Sequence, residues 1–318
     1  MTTLLADIGG TYSRFAWQEG DSFSPPVRFA NKDFDSFTAV IDLFLKNQNY
    51  KPTCFVFAIA SDISSDRIFS VNIPWAISQK EIQERYQVPL TFLNDFQAQG
   101  LGVLSAQKEY IEKLGGGTAQ EKHPICVIGP GTGLGTCVLT HEVDGWKAHP
   151  SEAGHTSVNA DKDVCAQVIE ILQRRFTDVS YERLISGEGI LNIYQALCEI
   201  QGGFIDPNLT PEQIGLLAQA QEKNALSAYQ MMCHFLAVYA GNLALTMKTT
   251  GGIYLVGNIL SLPIVISALK TQEFRQAFES KGRFIEFMKQ IPIYLCTQKN
   301  LAFSGLVYYN SSKSSKQG

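Results

Sequence analysis

A run of apolar, β-prone residues broken by glycines and then resumed occurs twice in this chain. Leu4–Ile8 and Ser13–Trp17 flank Gly9-Gly10-Thr11, and Ile125–Ile128 and Thr136–Leu139 flank the glycine-rich stretch Gly129–Gly135. Runs this short are strands rather than helices, and glycine supplies the backbone freedom a tight turn needs. Each copy opens an alternation of strands and helices. Asp35–Lys46 places Phe37, Val40, Ile41, Phe44 and Leu45 on one helical face. Thr53–Ala60 is continuously apolar, as in a strand covered on both sides. Ser78 with Glu81 forms a capping box for a helix to Tyr86, and Pro89–Leu93 is the next strand, ending at Asn94-Asp95. Strands alternating with helices predict α/β architecture with helices on both sheet faces.

The alternation restarts after Gly115-Gly116-Gly117 and becomes richer in helix. Thr210-Pro211-Glu212-Gln213 reads as an N-cap, a proline at the first helical position and a glutamine at the third. Asn224–Lys248 is apolar nearly all round, which predicts a buried helix. The expected domains are 1–106 and 107–299, with a C-terminal helix at 300–312 completing the first. The Ser/Lys tail Ser311–Gly318 is expected to fray.

Composition narrows the function. Apolar residues are 45% and charged residues 18% of 318, which excludes disorder and coiled coil. A net charge of -4 offers no electrostatic footprint for nucleic acid. Seven cysteines without a Cys-x-x-Cys, most within apolar runs, read as buried free thiols in a reducing compartment. The N-terminus has no basic segment ahead of an apolar one, so a cytoplasmic protein is expected. Thr249–Leu269 is uncharged but contains Gly251, Gly252, Gly257, Asn258 and Pro263, a strand, turn and short helix rather than a membrane span.

Four sets of residues can carry chemistry. In Asp7-Ile8-Gly9-Gly10-Thr11-Tyr12, glycine amides can face an anion, and Asp7 at the strand end can hold Mg²⁺ through water; the alternative is a plain hairpin with a solvated aspartate. In Gly129–Gly135, the amides of Gly131, Thr132 and Gly133 and the Thr132 hydroxyl can hold phosphates. The stretch matches neither the dinucleotide fingerprint nor the Walker A loop. Asn94-Asp95 stands where a strand's carboxyl end meets a helix, the usual ligand side of an α/β sheet; Asp95 as a helix N-cap is the other reading. Glu152 and His155, with Gly154 freeing the backbone between them, suit bidentate bonding to vicinal hydroxyls; a metal pair or unrelated surface residues are the other readings. Glu182 also reads as a solvated helix-face glutamate. No Gly-x-Ser-x-Gly, His-Glu-x-x-His or cysteine cluster is present.

Together these motifs, in this order, resemble the bacterial ATP-dependent glucokinases, the branch of the sugar kinase and actin-like superfamily without a zinc motif. Asp7–Thr11 resembles the family's first phosphate motif and Gly129–Gly135 its second. Asn94-Asp95-Phe96 is similar to the sugar-site segment whose aspartate is the base. Ser151–His155 resembles Gly-Glu-Gly-Gly-His, Ser180–Gly187 the segment supplying another glutamate to the sugar, and Gly251–Ile259, with Gly257, the adenosine-side strand and loop. The family usually has asparagine at Tyr12, proline near Ser61-Asp62, glycine at Asn258 and Pro-Gly at Leu301-Ala302.

The resemblance implies two actin-like (ribonuclease H-like) α/β domains around a central cleft and a homodimer that binds no nucleic acid or membrane. It implies transfer of the γ-phosphoryl group of MgATP to the 6-hydroxyl of glucose. Asp95 would be the base, Asn94, Glu152, His155 and Glu182 would hold the sugar, and Asp7–Tyr12, Gly131–Gly133 and Gly257 would hold the nucleotide. A kinase for another hexose or amino sugar, or a non-catalytic sugar-binding relative, stays open.

Overall fold

The computed structural model describes residues 2–314 except 47, 49, 71, 72, 161, 204 and 205. Its first part runs β1 (Thr3–Ile8), β2 (Tyr12–Glu19), β3 (Ser22–Phe23), β4 (Val27–Ala30), α1 (Phe37–Lys46), β5 (Cys54–Ile59), β6 (Arg67–Ile68), β7 (Ile77–Ser78), α2 (Gln79–Tyr86), β8 (Leu90–Asn94) and α3 (Asp95–Leu104). β1 and β2 form the antiparallel hairpin expected around the first glycines, and β5 and β8 continue the sheet in parallel, giving the order β3-β2-β1-β5-β8 with β4 also on β2. Phe55–Ile59 are all buried, which is why that strand reads as an unbroken apolar run. Ser78 caps α2 by accepting from the Glu81 amide.

The second part runs β9 (Ile111–Gly115), β10 (Ile125–Pro130), β11 (Leu134–Glu142), β12 (Gly145–Ser151), α4 (Asp163–Gln173), α5 (Gly187–Ile200), α6 (Pro211–Gln219), α7 (Lys223–Met247), β13 (Gly252–Leu255), α8 (Pro263–Leu269), α9 (Gln272–Glu279), α10 (Ile285–Gln290) and β14 (Ile293–Cys296). The same plan recurs: β10 and β11 are an antiparallel hairpin, and β13 and β14 follow in parallel, in the order β12-β11-β10-β13-β14-β9. The two hairpins therefore occupy equivalent places in two sheets of one design. Thr210 and Gln213 make both bonds of a capping box at α6. Tyr229, Met232, Phe235, Leu236, Tyr239 and Ala240 of α7 are all buried, as its apolar circumference requires. No described helix is long and apolar enough to cross a membrane.

The chain ends in α11 (Leu301–Ser314). Ser311–Ser314, expected to fray, are its last turn; 315–318 lie outside the described residues. Contacts divide the molecule into two units. The first holds the chain through residue 107, residues 146–150 and the described residues from 298; the second holds 108–145 and 151–297. Within the first, α11 lies against α3 at backbone distance. A Cβ on Gly102 would overlap the Leu301 carbonyl oxygen, and one on Gly305 would overlap that of Ala98. Two helices approach this closely only where a glycine on one side leaves room for the backbone of the other. Phe303 beside this contact is fully buried.

Ala in place of Gly ordinarily stabilises a helix by about 0.5–1 kcal/mol. Gly305→Ala is expected to do the reverse, costing about 1–3 kcal/mol as an overpacked contact. Urea denaturation checks the sign, and a variant as stable as the wild type would refute the contact.

Candidate active site

The first glycine turn closes with the Gly9 amide donating to the Tyr12 carbonyl at 3.0 Å. Its remaining carbonyls converge on one residue. Asn31, 1% exposed, donates through Nδ2 to Gly9 O at 2.8 Å and Gly10 O at 2.9 Å. Its own amide donates to Thr11 O at 2.9 Å, and Ser13 Oγ donates to its Oδ1 at 2.8 Å. Among the described residues no hydrogen bond engages the amides of Gly10 and Thr11. Backbone N–H groups are obligatory donors, so two held in this way are open to an anionic ligand. They line an open cavity of about 420 Å³ with Tyr12, Asn31, Lys32 and Pro74. Tyr12 turns outward, with the Arg28 guanidinium 4.3 Å over its ring.

Asp7 faces Arg14, its register partner across the hairpin, and the two form an ion pair. Arg14 also donates through Nη1 to Asn300 Oδ1 at 3.0 Å, just before α11. Sequence reasoning placed Asp7 near a metal and missed Arg14. The hairpin's symmetry was the available clue, since Ile8 opposite Ser13 sets Asp7 opposite Arg14. Among the described residues no three His, Cys, Asp or Glu side chains are grouped to hold a metal.

At the carboxyl end of β8, Asn94 caps α3. Its Oδ1 accepts from the amides of Phe96 at 3.0 Å and Gln97 at 3.2 Å. Asp95, weighed above as a cap, is instead the first helical residue. One turn on, Gln97 Nε2 donates to the Ala148 carbonyl at 3.2 Å, fixing the start of α3 against residues 146–150 of the same unit.

The second glycine turn, in the other unit, is held from outside as well. Its internal bond runs from the Gly131 amide to Gly133 O at 2.7 Å. The Gly187 amide donates to Gly131 O at 3.0 Å, and the Leu134 amide to Glu182 Oε2 at 2.9 Å. The amides of Thr132 and Gly133 make no hydrogen bond among the described residues, and Thr132 is exposed. Glu182 is thus a half-buried residue of a short 3₁₀ turn rather than a solvated helix glutamate. Its Oε1 lies 3.9 Å from His155 Nδ1, and His155 Nε2 lies 3.7 Å from Glu152 Oε2.

Gly154, between Glu152 and His155, does not serve backbone freedom, since its φ is not positive. A Cβ there would lie 2.5 Å from the Leu134 carbonyl, so glycine is required by close approach to the turn. Gly257 has φ 111°, and a Cβ on it would sit 2.7 Å from Pro130 O at the turn's entrance. Asn258 has φ -67°, ordinary right-handed backbone, so the usual glycine there is not needed for conformation.

The structure accordingly gathers Glu152, His155 and Glu182 with Gly131–Gly133 and Gly257 in the second unit. In the first it sets Asp7 beside the Gly9–Tyr12 turn, and Asn94 and Asp95 at the junction of β8 and α3. Two hairpin-led sheets, each with parallel strands behind a glycine turn, define the actin-like fold of the sugar kinases. A solved glucokinase from an Antarctic psychrotroph has this fold, with a TM-score of 0.85 at 29% identity over 97% of this chain and 98% of that one. A glucokinase from Balamuthia mandrillaris, solved with glucose, shares the fold with a TM-score of 0.80 at 19% identity over 96% and 92% of the two chains.

The glucokinase family model matches residues 4–313. Tolumonas auensis glucokinase is 34% identical over 98% of this chain and 97% of its own, and that of Escherichia fergusonii 33% over 95% and 94%. The chain belongs to the glucokinase family.

Arg14→Ala removes the partner of a carboxylate whose side chain is 13% exposed. It is expected to cost about 1–3 kcal/mol of unfolding free energy. Adding Asp7→Asn should return part of that loss, because the orphaned charge goes with it. A double-mutant cycle by chemical denaturation measures the coupling, and simple additivity would refute it.

Proposed function

We propose that this protein transfers the γ-phosphoryl group of MgATP to the 6-hydroxyl of glucose. Family membership makes it an ATP-dependent hexose kinase; the observation that supports this substrate pair is the second glycine turn set against Glu182, His155 and Glu152. Open amides suit phosphate oxygens, while a carboxylate–imidazole–carboxylate group suits vicinal hydroxyls. A site that hydrogen-bonds each hydroxyl rejects an analogue lacking one far more sharply than an apolar pocket does.

In this reading Asp95 accepts the proton of the 6-hydroxyl as that oxygen bonds to the γ-phosphorus and the bond from phosphorus to the ADP oxygen breaks. Asn94, whose Oδ1 is committed to the α3 amides, contacts the sugar through Nδ2. Glu152, His155 and Glu182 orient the ring. Gly9–Tyr12, Gly131–Gly133 and Gly257 hold the nucleotide by backbone. Asp7, its charge shared with Arg14, would hold the nucleotide's magnesium through water, and the ion would supply charge neutralisation at the phosphates. We place the reaction in the cytosol, in keeping with a sequence that has no Cys-x-x-Cys among its seven cysteines, and propose a homodimer on the family resemblance. Light scattering at the monomer mass would overturn the dimer.

The test is ADP release with MgATP and a panel of glucose, mannose, fructose and N-acetylglucosamine. Glucose should be the preferred acceptor, and Asp95→Ala should lower turnover by about 10²–10⁴-fold with glucose binding retained by calorimetry. Preference for another sugar would move the substrate, and near-normal turnover in Asp95→Ala would remove the base assignment.

A further inference from the structure

Sequence reasoning assigns Glu182 to the sugar and Gly131–Gly133 to the nucleotide, as separate features. The geometry joins them. One carboxylate oxygen of Glu182 accepts from the Leu134 amide at 2.9 Å, and the other faces His155 Nδ1 at 3.9 Å. A second bond, Gly187 N to Gly131 O at 3.0 Å, fastens the far end of the same loop to the same turn. Between these fixings, a Cβ on Gly133 would lie 2.5 Å from Glu182 Oε2.

The loop is itself anchored from behind. Tyr181 is 4% exposed, and its hydroxyl accepts from Asn242 Nδ2 at 2.8 Å. Lys281 Nζ donates to Asn242 Oδ1 at 2.7 Å. Ser186 Oγ donates to Glu182 O at 2.8 Å and accepts from the Gly189 amide at 3.0 Å, capping α5. The loop therefore cannot follow the turn by drifting as a free segment; a displaced turn has to move the Glu182 carboxylate.

We propose that Glu182 is a positioning residue for the nucleotide turn as well as a sugar ligand, so that the two substrates are coupled through this one carboxylate. The inference rests on the site roles proposed above. Sugar bound at Oε1 and His155 fixes the carboxylate, which fixes the Leu134 amide and with it the open amides of Thr132 and Gly133. Linkage requires sugar and nucleotide to change each other's affinity by the same factor, and through the same carboxylate a group that displaces Oε2 from the turn side weakens the sugar in the absence of any nucleotide.

Gly133→Ala puts a methyl group against Glu182 Oε2 on the nucleotide turn, whereas Gly131→Ala, on the same turn, puts one into open space. Glucose affinity without nucleotide, by calorimetry, should fall about fivefold or more in Gly133→Ala and much less in Gly131→Ala. In the reciprocal arm, Glu182→Ala should weaken binding of the magnesium complex of a non-hydrolysable ATP analogue, without sugar, by a comparable factor. Glu182→Gln, whose amide oxygen can still accept from Leu134, should restore it.

Unchanged glucose affinity in Gly133→Ala, equal losses in the two glycine variants, or nucleotide binding indifferent to Glu182 would each overturn the coupling while leaving glucose phosphorylation intact. A wild-type protein that binds no glucose would overturn the proposed substrate and the coupling with it. Should Gly133→Ala not fold, judged by its thermal transition, the Glu182→Ala and Glu182→Gln pair decides alone.

Discussion

A backbone amide cannot donate to an anion and to its own chain at once. A turn that offers amides to a ligand must therefore keep its shape through other groups. Both glycine turns of this protein meet that constraint in the same way. In the first, a buried asparagine gathers the carbonyls of Gly9, Gly10 and Thr11 and leaves the Gly10 and Thr11 amides facing outward. In the second, the loop from Glu182 to Gly187 grips the turn at Leu134 and Gly131 and leaves Thr132 and Gly133. The sheets behind them supply stiffness: each hairpin is backed by parallel strands, so the turn sits at the end of a rigid support.

The two clamps differ in what else they can do. Asn31 is neutral, fully engaged and buried, which makes it a structural pin. Glu182 is charged, half-buried and has a second oxygen turned towards His155, so its clamp is also open to a ligand. The same mechanical task is thus performed once by a part with no further contacts to give, and once by a part that responds to its surroundings.

Elements whose logic is local were legible in the sequence. Both hairpins follow from apolar runs broken by glycine, α7 from its apolar circumference, and the start of α6 from Thr210 and Gln213. The motif residues were legible by type and order. What was not legible depends on contacts between distant segments. Asn31 reaches glycines of a hairpin far earlier in the chain, and Glu182 reaches Leu134 across 48 residues. Gly154 reads as a flexible position until the Leu134 carbonyl is seen against it. Between Asn94 and Asp95, adjacent residues that both make good caps, only the backbone geometry decides which one caps. Arg14 lay between these cases, hidden in sequence but fixed once the hairpin register is known.

The seat of α11 on α3 bears on how the protein is made. The first unit takes its opening residues from the start of the chain and its last helix from beyond residue 298, with about 190 residues, nearly all of them of the other unit, translated in between. At ribosomal speeds of about 5–20 residues per second, the glycine face of α3 waits roughly 10–40 s for its partner. Over that interval the nascent first unit is an open sheet missing a wall. The helix that bears Asp95 is therefore sealed only after nearly all of the other unit has been made.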